Sequence, residues 1–527
     1  MLVMRTSVGN SEAFPTPRNW FSLYLATALV YVLTSTGRVG DSDGLAMARV
    51  SQNLAQHGSI SAEPCTPGPE SVHCVPGVDG KHYAAYGLVP SIVATPATAI
   101  TSLAARVTRR DFNLLYGLVL ALYHALFSAT VPLVFALWLC RLGISWNAAF
   151  LTAFIYAFAS PAWHLAREFF SEPYFLLGLL GCCYFLCGEP ESTSLIAAGA
   201  CLGFAAACRV YGLILMPVLL LYAILLWTSQ RTTIATIVKN LSLFCAPVIV
   251  TIGLIALSNQ LRFGSVFKTG YHLLNPNLAA LMSTPLFEGM KSLLVNGEVG
   301  IVYYVPWILV LPFLWRPFWR DYRNEAILTI GIFITNFVFF AKYTAWHGGW
   351  AFGPRMMNAV IPFLALPLAV AIQHGALASR TLVTRFAMAL VGAAFLVQVI
   401  LLPYPSARYF DMGYYNTQHN LGQPWWSGQP VLGAITSYTE LFGGANPDNS
   451  PAHQYLLTFP NSVNLLRADL WLVKIYLLGV PAIAAAAFCA IIMILIVYNL
   501  RATLRFSPTL LAKSSGQVAA QHEMKPQ

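Results

Sequence analysis

Charge is what this chain has least of. Of its 527 residues only 9% are Asp, Glu, Lys or Arg, against roughly 25% in soluble domains. A surface so poor in charge cannot keep a chain of this size in water, which excludes a soluble enzyme or binding module and leaves a polytopic membrane protein. Acidic side chains are the scarcer sign, 20 Asp and Glu against 30 Lys and Arg, for a net charge of +10. The basic excess is scattered through short loops, as in the positive-inside bias of membrane proteins, so no nucleic-acid partner is expected. Also missing are a phosphate loop, a nucleotide-binding glycine fingerprint after a strand, and a closely spaced set of zinc ligands. No repeat relates the two halves, and no low-complexity segment stands out beyond a polar tail after Ser507.

What fills the chain instead is apolar: 57% hydrophobic, 13% aromatic, with a mean hydropathy of +0.63. Membrane-length runs recur at Trp20–Thr36, Phe112–Cys140, Asn147–Trp163, Pro173–Gly188, Ser194–Cys208, Gly212–Trp227, Leu241–Ser258, Ile301–Trp315, Ala326–Ala341, Met356–Gln373, Phe386–Leu402 and Val473–Tyr498. They predict an all-α integral membrane bundle of about twelve (roughly 11–13) transmembrane helices. The first run follows a basic start (Arg5, Arg18) and lacks a small-residue cleavage site, so it reads as a retained span rather than a removed signal peptide.

Leu88–Ala105 decides the sidedness of everything after it. If it does not span, the loops of Arg141, Arg231 and Lys239, Arg316, Arg320 and Arg323, Arg380 and Arg385, and Arg501, Arg505 and Lys513 share one side with the N-terminus. That choice fits the positive-inside rule best and makes Leu88–Ala105 an interfacial helix. Both termini are then cytoplasmic, and the unusual polar clusters share the outer face of a cytoplasmic (inner) membrane. The expected organisation is a transmembrane module over residues 1–402, with an outer loop 37–111; an extracytoplasmic loop region 403–472, rich in aromatics; a last helix 473–500; and a cytoplasmic tail 501–527. Cys65 and Cys74 lie apart from the other cysteines, in a polar Pro/Gly-rich part of the first outer loop. A disulfide between them is expected if that loop faces an oxidising space, two unrelated thiols being the alternative.

Five outer segments hold the candidate chemistry. Asp41 and Asp43 lie in Gly-Asp-Ser-Asp-Gly (40–44), just past the first span; a solvated helix cap is the plainer reading. Glu168 and Glu172 are four apart in Arg-Glu-Phe-Phe-Ser-Glu-Pro (167–173) and share a face if that turn is helical. Arg209 ends the fifth span, where it either holds an anion or snorkels. His82 and Tyr83 belong to Gly-Lys-His-Tyr-Ala-Ala-Tyr-Gly (80–87), and Lys268 to a turn-rich stretch after the seventh span. Trp346, His347, Trp350 and Arg355 belong to Trp-His-Gly-Gly-Trp-Ala-Phe-Gly-Pro-Arg (346–355), glycine-rich enough for backbone to approach a ligand closely; a tight hairpin carrying interfacial tryptophans is the alternative. Together they supply what sugar transfer from a lipid phosphate requires: a carboxylate for an acceptor hydroxyl, cations for the leaving phosphate, and an apolar groove for the lipid.

In combination these segments resemble a bacterial branch of the GT-C membrane glycosyltransferases, relatives of protein O-mannosyltransferases, lipid A aminoarabinose transferase and oligosaccharyltransferase. The resemblance rests on Ser42-Asp-Gly-Leu-Ala-Met-Ala-Arg with His57-Gly58, Gly80-Lys-His-Tyr-Ala-Ala-Tyr-Gly-Leu, Phe170-Ser-Glu-Pro173, Asn259-Gln-Leu-Arg-Phe-Gly-Ser with Thr269-Gly-Tyr271, and Trp346 to Arg355. It implies a GT-C-like fold and an inverting transfer from a polyprenyl-phosphate-linked sugar to a glycan, lipid or protein acceptor of the cell envelope. It further implies that Asp43 or Asp41 is the base and that Glu172 is a second acidic residue of the site. Arg209, Lys268 and Arg355 are the candidates for the donor phosphate, with His82, Tyr83, Glu168, Trp346, His347 and Trp350 around the pocket. No cofactor is required on this reading; a divalent cation on Asp41, Asp43 and Glu172 is optional. The sequence departs from the pattern at Ala84-Ala85, where relatives carry Ser-Lys, and at Glu298, where a basic residue is expected. A secondary transporter would place ionisable residues near helix midpoints in repeated halves, and a surface-glycan polymerase or ligase would do without the early acidic pair.

Overall fold

A computed structural model describes residues 15–40, 42–65, 74–274, 277–349, 351–375, 381–406, 409–410, 428–443, 468–477 and 481–505. It is a multi-pass helical membrane protein. The helices are α1 (Pro17–Thr34), α2 (Ser42–His57), α3 (Val89–Thr108), α4 (Phe112–Ser128), α5 (Thr130–Arg141), α6 (Trp146–Phe158), α7 (Ala162–Leu165), α8 (Glu172–Leu186), α9 (Ser192–Cys208), α10 (Met216–Ser229) and α11 (Ile234–Phe263). After them come α12 (Gly270–Leu274), α13 (Leu278–Leu281), α14 (Leu286–Val295), α15 (Ile301–Tyr304), α16 (Leu311–Asp321), α17 (Arg323–Lys342), α18 (Ile361–Leu364), α19 (Leu366–Gln373) and α20 (Leu382–Leu401), then helices over Pro430–Gly443, Trp471–Leu477 and Ala482–Arg505. Strand is confined, among the described residues, to a two-stranded hairpin of β1 (Cys74–Pro76) and β2 (His82–Ala84).

Among the described residues, six helical stretches are long and apolar enough to cross a membrane: Phe112–Arg141, Val210–Ser229, Ile234–Phe263, Arg323–Lys342, Arg355–Gln373 and Leu382–Leu401. Shorter apolar helices follow several of the other expected runs, at Trp146–Phe158, Glu172–Leu186, Ser192–Cys208 and Ala486–Asn499. The expected run Ile301–Trp315 is divided by a 3₁₀ turn at Pro306–Val310, since proline removes a backbone donor and clashes with the preceding turn.

Glycines set the closest helix crossings. On α9, a Cβ added to Gly199 would meet the Phe244 carbonyl of α11 at 2.0 Å, and one added to Gly203 would meet Thr251 Oγ1 at 2.4 Å. The four-residue spacing is the small-xxx-small arrangement that lets membrane helices touch backbone to backbone.

The two ends of the bundle differ. At one end the basic loops gather: Arg141 lies over the Tyr184 ring at 4.5 Å, Ser145 N donates to Gln373 Oε1 at 2.9 Å, and His374 pairs with Asp321 at 3.5 Å. At the other end meet the close of α1, the starts of α2 and α8, the close of α9 and residue 355. Helix α1 runs antiparallel to the last helix. Ser22 Oγ donates to Asn499 Oδ1 at 2.9 Å near the basic end, while Trp471 Nε1 donates to the Val32 carbonyl at 2.7 Å near the other.

Helix α3 packs against α4 at that second end. Tyr123 of α4 donates to the Val93 carbonyl at 2.9 Å, and Thr98 Oγ1 to Tyr116 Oη at 3.3 Å, so α3 climbs back along the first turns of α4. At 1.5 Å per residue, the 30 residues of Phe112–Arg141 extend about 45 Å, beyond a hydrocarbon core of about 30 Å. The first half of that stretch is where α2 and α3 pack.

Candidate active site

Four helix termini deliver four charged side chains to one spot. Asp43 stands in the first turn of α2, held against the 167–172 turn by Gly44, whose added Cβ would meet the Phe169 carbonyl at 2.6 Å. Glu172 is the first residue of α8, and Pro173 favours that start. Arg209 follows α9 in extended conformation. Arg355 opens a 3₁₀ turn after a hairpin in which Gly348, Gly349 and Gly353 adopt φ of +80°, +76° and +81°, values L-residues with side chains rarely take.

Arg355 bridges the carboxylates. Its Nη2 donates to Asp43 Oδ2 at 2.8 Å, its Nε to Glu172 Oε1, and its Nη1 to the Gly348 carbonyl at 3.1 Å, with its guanidinium 4.6 Å from the Phe170 ring centre. Arg209 Nη1 donates to the same Glu172 oxygen and its guanidinium lies 5.2 Å from the Tyr211 ring centre. Tyr86 Oη donates to Asp43 Oδ1, and the Tyr86 ring meets Tyr271 edge-on at 5.7 Å. The side chains of Arg355 and Glu172 are 3% and 4% exposed, Arg209 11% and Asp43 20%. Two carboxylates and two guanidinia cancel, which is what allows four charges to be buried together. Asp43 is the most open of the four. Glu172 Oε2 and Arg209 Nε are buried without a hydrogen-bond partner, and such orphans call for an explanation.

Of the residues expected from sequence, Asp43, Glu172, Arg209 and Arg355 are brought together; Asp41 and Trp350 fall outside the described residues. Arg355 faces inward to both carboxylates, whereas Arg209 donates to Glu172. Glu168 belongs to an adjoining network: Oε1 accepts from Gly40 N at 2.7 Å and pairs with Arg38 at 3.4 Å, while Arg38 also holds Asp469 at 3.0 Å. Arg167 completes that network, donating to the carbonyls of Thr34 and Asp469. His82 and Tyr83 sit on the β-hairpin rather than in the cluster. His82 Nδ1 is 2.9 Å from Glu63 Oε1, and Tyr83 Oη donates to Asp79 at 2.8 Å, burial and that bond pushing its phenol up to about 12. A disulfide joins Cys65 to Cys74 at the base of this hairpin. Lys268 is exposed after α11, and His347 is exposed with Trp346 beside it at 6.0 Å.

Tyr86 and Tyr271 are the contributors that residue-type reasoning missed. Both stand in the quoted motifs, and their signal was a glycine at their side. A Cβ on Gly87 would meet the Ala207 carbonyl at 2.1 Å, and one on Gly270 would meet Ala85 Cα at 2.3 Å. These contacts press the segment after the hairpin onto the end of α9, and α12 onto that segment. Burial raises the Tyr271 phenol to about 12. Glu298, out of pattern in sequence, accepts from Tyr409 Oη at 2.9 Å, and its carbonyl accepts from Gly353 N at 3.2 Å, anchoring the hairpin that carries Arg355.

No protein-family model matches the sequence, and no curated protein is matched. Solved structures do show a likeness. ArnT from Cupriavidus metallidurans bound to undecaprenyl phosphate superposes with a TM-score of 0.46 at 16% identity, over 86% of this chain and 74% of that one. The oligosaccharyltransferase AglB from Archaeoglobus fulgidus, in complex with an inhibitory peptide and a dolichol-phosphate, gives 0.42 at 11% identity, over 77% and 60%.

Proposed function

We propose that the chain is a membrane glycosyltransferase, carrying a sugar from a polyprenyl-phosphate-linked donor to an acceptor hydroxyl at the extracytoplasmic face of the inner membrane, with inversion. The observation that carries this reading is Asp43. It is the partly open carboxylate of an otherwise buried four-charge cluster, fixed by Tyr86 and Arg355 at the end of the bundle away from the basic loops.

The acceptor oxygen bonds to the anomeric carbon from the face opposite the phosphate, and the bond from that carbon to the phosphate oxygen breaks, its electron pair leaving with the lipid phosphate. The hydroxyl proton passes to Asp43. A carboxylate paired with arginine is a weak base, so it takes the proton late, when bonding to the electrophilic carbon has acidified the hydroxyl. Arg209 stabilises the departing phosphate; Glu172 keeps the two guanidinia in register. Lipid, glycan or protein acceptors all present the required hydroxyl.

The test is transfer by the purified full-length chain in lipid nanodiscs from a polyprenyl-phosphate-sugar pool, with the transferred unit identified by mass spectrometry of surface glycans from cells with and without the chain. Full activity in both Asp43→Asn and Glu172→Gln would refute the mechanism.

A further inference from the structure

We infer that Arg355 takes the place of a divalent cation in this site, so the carboxylates are organised by a guanidinium built into the chain and the site neither needs nor holds a metal. The inference deepens the transferase reading and rests on it for its catalytic arm. Its cation-binding arm stands on geometry alone.

Asp43 and Glu172 converge from two helix termini, as a pair sharing a cation would. The space between them is filled: Arg355 Nη2 lies 2.8 Å from Asp43, and Nε contacts Glu172. The third nitrogen is fixed by the Gly348 carbonyl at 3.1 Å, and the guanidinium lies 4.6 Å from the Phe170 ring centre. An added Cβ on Gly348 would meet Arg355 Cβ at 3.1 Å, so the hairpin backbone and the arginine stem are packed together. The guanidinium is not a tethered surface group that swings aside.

The donor set does not fit a hard dication. Mg²⁺ wants near-octahedral oxygens at about 2.0–2.1 Å, whereas Glu172 Oε1 is shared by two guanidinia. The charges already balance, so a dication would leave the pocket doubly positive beside Arg209. A guanidinium also has what a spherical ion lacks: planar, directional donors that fix the rotation of each carboxylate.

The experiment measures Mn²⁺ binding by electron paramagnetic resonance and thermal stability on the full chain in nanodiscs, with Mn²⁺, with EDTA and with methylguanidinium. Wild type is expected to show no Mn²⁺ site that depends on Glu172, and an unchanged melting midpoint under chelation. Arg355→Ala is expected to melt lower and to recover with methylguanidinium or Mn²⁺, the recovery being lost when Glu172→Gln is added. A Glu172-dependent Mn²⁺ site in wild type overturns the inference, as does a folded Arg355→Ala that neither cation restores. Where transfer is measurable, EDTA should leave kcat within about twofold; a loss of about tenfold, a 1.4 kcal/mol effect, that Mn²⁺ reverses overturns it too. Absence of transfer altogether would sink the transferase reading and leave the cation result standing.

Discussion

Glu172→Gln and Asp43→Asn are matched perturbations whose effects should diverge. Each swaps a carboxylate for an amide of the same shape. Glu172 is 4% exposed and one of its oxygens accepts from both Arg209 and Arg355. Neutralising it strands two buried guanidinia, and breaking a buried pair costs about 3–5 kcal/mol. The amide nitrogen can take the Oε2 position, which has no partner to offend, so the lower end applies, about 3 kcal/mol. Asp43 is 20% exposed; water screens part of its loss, leaving about 1.5 kcal/mol. Catalysis should run the other way. Asp43→Asn removes the proton acceptor and should lower kcat by about 10²–10⁴, while Glu172→Gln, which only loosens the arrangement, should cost about tenfold to a hundredfold. Pulse proteolysis in detergent reads the stability order, and single-turnover transfer reads the rate order. If Asp43→Asn proved the less stable variant, or Glu172→Gln the slower one, the division of labour drawn here would be wrong.

Tyr86→Phe deletes the donor to Asp43 and should lower kcat about tenfold with little change in KM, the value of one charge-assisted hydrogen bond; steady-state transfer kinetics check it. The Glu63 carboxyl is held below its ordinary value of 4.5, chiefly by the hydrogen bond from His82. With the folded value the lower one, its stabilisation of the hairpin is complete above about 4.5 and lost as pH falls further. Hydrogen exchange at residues 74–84 should show that acid loss in wild type and not in Glu63→Gln. Gly87→Ala, driven into the Ala207 carbonyl, should lower both folded yield and transfer, while Gly392→Ala, with open space around it, should be neutral or slightly stabilising in the same melts.

The helical membrane fold, several of its long spans and the clustered end were legible in sequence because hydropathy and loop charge are local and additive. Phe112–Arg141 and Leu382–Leu401 needed only their own composition, and the basic loops pointed to one side. Asp43, Glu172, Arg209 and Arg355 stood out because ionisable residues at membrane edges are costly enough to require a purpose. Their wiring did not stand out. That Arg355 reaches inward to two carboxylates depends on a meeting of residues 43, 172 and 355, which no periodicity encodes. Tyr86 was hidden for the opposite reason: a tyrosine at an interface has an ordinary explanation, and only its distance to Asp43 separates it from a belt residue. Glu298 was unreadable because its partner, Tyr409, lies 111 positions away.

The antiparallel seam between α1 and the final helix has a consequence for how the protein comes into being. Asp469, which holds Arg38, and the carbonyl that caps Arg167 leave the ribosome more than 400 positions after the first helix has entered the bilayer. Until then the contacts that Arg38 and Arg167 make to Asp469 are not in place. The network that joins Arg38 and Arg167 to Asp469 is therefore among the last parts of the fold to be completed.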